Sequence, residues 1–92
     1  MKISDKDFHP HILKRMSERG ITKLEIKKTL NDGLAISDVK AGTLGKKYLF
    51  NFNNVWNNKF YKFKEVKVFY KLINKRIILL TAISRFGNEF KI

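Results

Sequence analysis

Cysteine is absent from the 92 residues and proline occurs once. Without thiols there is no disulfide framework, no cysteine-based zinc site and no thiol nucleophile, which leaves His9 and His11 as the imidazoles a metal could use. Two histidines with no matched carboxylate cluster do not make a metal site, so neither a metal nor a cofactor is expected. Acidic residues are scarce as well: 8 Asp+Glu face 20 Lys+Arg, a formal charge of +12. The longest apolar run, Ile77 to Leu80, falls far short of the roughly 20 residues of a membrane span. The N-terminus carries Lys2, Asp5, Lys6 and Asp7 with no apolar stretch behind them, which does not read as a secretory leader. The expected site of action is the cytoplasm, reached directly or by delivery as the C-terminal part of a secreted effector.

What is present suits one packed domain spanning 1–92. Hydrophobic residues make up 43% and aromatics 13%, too much apolar matter for a disordered chain. A pI near 10.1 projects a positive field over roughly 8 Å at physiological salt, so polyanions are the expected partners.

The hydrophobic pattern changes character near Gly33. Phe8, Ile12 and Met16 recur every four residues around Pro10, which is tolerated in a first helical turn, and Gly20 is placed to end that helix. Thr22 to Glu25 fits a capping box opening a second helix, Lys23 to Asn31, that buries Ile26 and Leu30. From there the alternation is that of strands: Ala35 to Val39, Lys47 to Asn53, Phe63 to Ile73, a tight turn at Asn74-Lys75, and Arg76 to Ile83. Arg76 to Ile83 is apolar on both faces and is expected to be central; Asn53 to Lys62 has no clear period and is assigned to a loop. The predicted architecture is α+β, with two helices over residues 8–32 packed on a roughly four-stranded antiparallel sheet over 35–84.

Three groups of residues could carry chemistry. His11 and Arg15 share a helical stripe with Glu18 or Arg19, an imidazole beside a cation. Thr81, Ser84 and Arg85 come at the end of the last strand, and arginine offers a rigid fork that matches phosphate. Lys14, Lys46, Lys47, Lys67 and Lys71, with Trp56 and Tyr61 in the polar loop, supply the cations and stacking rings that single-stranded nucleic acid requires. Each group also has a purely structural reading, as a solvated helix face, a strand end or core aromatics. No phosphate-binding loop, dinucleotide fingerprint, carboxylate pair or nucleophile elbow is present.

The segment His11-Ile-Leu-Lys-Arg15-Met16-Ser-Glu18-Arg19-Gly20-Ile21-Thr22, followed by Glu25-Ile26 and Asn31-Asp32-Gly33, resembles the N-terminal signature of a family of small bacterial proteins. That family is grouped with the barnase/EndoU/colicin/RelE superfamily of toxin ribonucleases. The close Arg85-Phe86-Gly87-Asn-Glu-Phe90 resembles the Arg-Tyr-Gly end of toxin domains at the tips of contact-dependent inhibition proteins, with Phe86 in place of the tyrosine. The resemblance implies a RelE/colicin-nuclease-like fold and metal-independent RNA cleavage carried by His11, Arg15 and Arg85, with Thr81 and Tyr70 as further candidates. It also implies an acidic antitoxin or immunity protein as partner. The chemistry is coherent, because RNA brings its own nucleophile in the 2′-OH and needs only proton transfer and a cation for the phosphorane. Two other readings stand beside it: a non-catalytic RNA-binding or ribosome-associated module, and a basic domain that binds an acidic protein.

Overall fold

A computed structural model of the protein describes residues 3–90. Helix α1 (Pro10–Arg19) and helix α2 (Lys23–Asp32) precede strands β1 (Leu34–Ala35), β2 (Leu44–Trp56), β3 (Lys59–Ile73) and β4 (Arg76–Gly87). The strands form one antiparallel sheet in the order β1-β2-β3-β4. This is the predicted α+β arrangement, with both helices on one face of the sheet.

Local chemistry sets the helix ends. The Nδ1 of His9 accepts from the Ile12 N–H at 3.3 Å, Pro10 occupies the first turn, and Gly20 closes α1 in the left-handed region at φ 66°. Thr22 and Glu25 form the capping box of α2: the Glu25 N–H donates to Thr22 Oγ1 at 3.1 Å and the Thr22 N–H to Glu25 Oε1 at 2.9 Å. Ile12 and Met16 from α1 and Ile26 and Leu30 from α2 then pack on Val66, Val68 and Tyr70 of β3 and Leu79 and Ala82 of β4.

Three expectations about the sheet need correcting. First, the segment Asn53 to Lys62 is a hairpin and not a loop. Strand β2 runs on to Trp56, turns through Asn57-Asn58 at φ 50° and 65°, and returns as β3 from Lys59. The pairing passes from Asn51↔Phe63 to Asn54↔Tyr61, so one extra residue bulges from β2, with Asn53 at φ 45°. That bulge breaks the alternation by which a strand is recognised. Second, the first strand is only Leu34–Ala35; the Ile36 N–H still donates to the Gly45 carbonyl at 2.9 Å, and from there the chain reaches β2 through an irregular segment. Third, β4 is an edge strand that extends to Gly87. Its apolar character on both faces does not reflect a central position. Helix α1 covers one face, while Ile78 and Ile83 on the other stay 40% and 41% exposed.

Candidate nucleic-acid interface

Two surfaces hold the residues singled out by sequence. On the helix side, Arg19 of the signature and His9 just before it lock α1 to β4. Arg19 donates to the Ala82 carbonyl at 2.6 Å and to Thr81 Oγ1 at 3.3 Å, while Ser84 Oγ donates to the Arg19 carbonyl at 2.7 Å. His9 Nε2 meets the Leu79 carbonyl at 2.8 Å; with Nδ1 accepting from Ile12, the ring proton sits on Nε2 and is donated there. Lys64, 2% exposed, reaches the Gly20 carbonyl and pairs with Glu25 Oε1 at 2.7 Å, so the Arg-Gly-Ile-Thr turn and the start of α2 are tied to β3. The Lys64 ammonium also lies 5.3 Å and 5.4 Å from the Phe52 and Phe86 ring centres. Phe86 gathers Phe52, Trp56 and Tyr61 around it, the Trp56 ring stacking at 5.5 Å and 12°. Trp56 and Tyr61 are therefore committed to this cluster and do not stand free in a loop. Tyr70 is 3% exposed in the core, out of reach of a substrate, and burial pushes its phenol above the ordinary range, so it keeps its proton and is no base near neutral pH.

His11 and Arg15 lie toward solvent, Arg15 beside Glu18 at 3.5 Å, and Lys14 is exposed on the same helix. Arg85 lies on the other face of the sheet. Its neighbour in the pairing is Glu65, one residue out of phase with buried Val66 and Ser84. The structure thus does not bring His11 and Arg15 to Arg85, and Thr81 is engaged by Arg19.

The face away from the helices is where cations converge. Lys47 and Lys67 are direct cross-strand neighbours, Lys71 follows in the same phase on β3, and Arg76 and Arg85 occupy the ends of β4. Lys46 pairs with buried Val68 and belongs to the helix side, so it leaves the predicted basic set. At the centre is Glu65. Its Oε1 is buried and accepts no hydrogen bond, while Arg85 Nη2 stands 3.6 Å away and Arg85 itself is 66% exposed. The guanidinium also rests 4.7 Å from the Phe90 ring centre, and Phe90 packs on Phe63 and Gly87, so the last described residues fold back over this face. Beside Glu65 is a cavity of about 320 Å³, walled by Leu34, Lys47, Leu49 and Phe90 among others.

Glu65 is the residue the sequence reading passed over. It is the sole acid in the span from Lys46 to Arg76, and its phase with Lys67 and Lys71 was visible. Its pairing with Arg85 depends on strand register, which alternation alone does not give. Among the described residues no group of three or more His, Asp or Glu is placed to hold a metal, and no helix is long and apolar enough to cross a membrane. The chain matches no family profile, no curated protein and no solved structure.

Proposed function

We propose that this domain is an endoribonuclease, acting on messenger or transfer RNA to inhibit translation, and that its site is the open sheet face around Glu65 and Arg85. The observation that carries the reading is the buried Glu65 oxygen that accepts no hydrogen bond and is ion-paired with an exposed arginine, beside a pair of lysines. A carboxylate can serve as the proton acceptor, and a guanidinium next to it offers the donor fork a phosphorane needs. In this scheme Glu65 takes the proton of a ribose 2′-OH as its oxygen bonds to phosphorus. The bond to the 5′-oxygen breaks, that oxygen takes a proton from solvent, and a 2′,3′-cyclic phosphate is left. Arg85, Lys47 and Lys67 hold the phosphate oxygens. The same face, being basic, is the surface that an acidic inhibitor protein would cover.

The test is cleavage of RNA in EDTA with mapping of cyclic-phosphate ends. Glu65→Gln is expected to lower the single-turnover rate by roughly 10²-fold or more with binding nearly intact. Arg85→Ala lowers both, and Arg85→Lys restores only part, because an ammonium lacks the fork. His11→Ala leaves the rate per folded molecule unchanged. A large loss in His11→Ala with an active Glu65→Gln would move catalysis to α1. Binding without any fragments would leave an RNA-binding module in place of an enzyme.

A further inference from the structure

We infer that the cavity beside Glu65 is a nucleobase pocket, and that the substrate is therefore RNA whose nucleotide next to the scissile phosphate is unpaired. The inference rests on the ribonuclease reading for its link to cleavage, though not for binding itself. At about 320 Å³ the cavity lies at the small end of ligand sites, which span roughly 300–1,000 Å³. That is room for one nucleoside and not for a base pair with its two backbones. Its apolar walls come from three places, Leu34 on β1, Leu49 on β2 and Phe90 folded back from beyond β4, and Asp32, Lys47, Tyr48 and Glu65 complete the lining. Leu34 is 63% exposed at the rim, an apolar surface offered to solvent where a lone edge strand would ordinarily carry charge.

The polar groups around these walls decide the occupant. Lys47 lines the cavity and Lys67 is its cross-strand neighbour, while Arg85 is already paired with Glu65, so a purely apolar ligand would leave the two lysines with no anion. Asp32, also on the wall, is already paired with Lys28 at 2.6 Å and does not offset them. A flat apolar ring joined to a phosphate satisfies both halves, which is the chemistry of a nucleotide. A base inside an A-form helix keeps its faces stacked and cannot enter; one splayed from a loop or a single strand can.

Binding is tested first without catalysis, by titrating the isotope-labelled protein with adenosine and cytidine monophosphates and with ribose 5-phosphate, which has no base. The nucleotides are expected to bind roughly 10-fold tighter, the scale of base stacking on a protein surface, and to shift the amides of Leu34, Lys47 and Leu49. Leu49→Trp, which fills the cavity, and the uncharged Leu34→Ser, at a position 63% exposed, abolish that advantage while leaving ribose 5-phosphate unaffected. Equal binding of nucleotide and ribose phosphate, or nucleotide binding untouched in both variants, overturns the pocket. The second arm compares one RNA sequence presented in a loop and in a duplex: the loop is cut and the duplex is not. Equal cutting of both refutes the inference and leaves the ribonuclease standing. A protein that favours nucleotides and cuts nothing sustains the pocket and refutes the ribonuclease.

Discussion

Lys64 illustrates how one residue can hold the helical layer to the sheet. Its ammonium is buried at 2% exposure between the Gly20 carbonyl, Glu25 and two phenyl rings, and the same Glu25 oxygen that receives it also receives the Thr22 N–H. Removing one member of a buried pair strands the other charge, at a cost of about 3–5 kcal/mol, whereas replacing the charged group with an apolar one of similar volume is often near neutral. Glu25→Ala should therefore be the more damaging change and Lys64→Met the milder one, read as midpoints of urea unfolding at unchanged slope. The reverse ranking would mean that the ion pair does not bind α2 to β3. The burial of Lys64 was readable, since it stands two residues before Val66 in phase with Val68 and Tyr70. Its partner was not, because Glu25 is 39 positions away and only the packed fold brings them together. Glu65 and Arg85 share that limit: each residue's phase is written locally, their meeting is not.

The β2–β3 hairpin is the element on which local pattern and final structure part furthest. Its far end bulges at Asn53, turns on two asparagines with positive φ and brings Trp56 down on the C-terminus of α1. Asparagine tolerates that left-handed region and so can make a two-residue hairpin turn without glycine, a weaker signal than Asn-Gly. The turn at Asn74-Lys75, with φ 50° and 65°, has the same construction but was legible because clean alternation flanks it. At Gly20 two demands coincide: φ is +66°, and a Cβ would fall 2.7 Å from the Trp56 ring. Gly20→Ala should cost upward of about 1 kcal/mol, and a loss of 1 kcal/mol lowers the melting temperature of a domain this size by roughly 4–8 °C. Trp56→Ala removes the clash but not the backbone strain, so the double variant should be less damaged than the sum of the single ones. Strict additivity would show that the hairpin tip does not rest on the helix. The edge of β4 is closed in a related way, its Leu79 and Ala82 carbonyls being taken by His9 and Arg19 of the α1 segment.

Across the whole molecule the two faces of the sheet divide the labour. One is spent on the core under α1 and α2, and the residues that resembled a toxin signature are largely used up in holding those helices down. The other keeps Lys47, Lys67, Lys71, Arg76 and Arg85 on one surface with Glu65 as the acid among them. A formal charge of +12 could bind RNA diffusely through lysines on every side, and that possibility makes a forecast different from a site on one face. If the open face engages about six phosphates, affinity should fall by roughly 10³ between 50 and 200 mM salt. Each cation removed from the contact surface should then lower the slope of log affinity against log salt by about 1. Replacing Lys47, Lys67 and Lys71 together by glutamine is expected to flatten the slope by about three, while the same change at Lys14, Lys23 and Lys27 on the helices leaves it nearly as it was. Equal effects from the two triple variants would refer binding to net charge alone and take the open face out of consideration as the RNA surface.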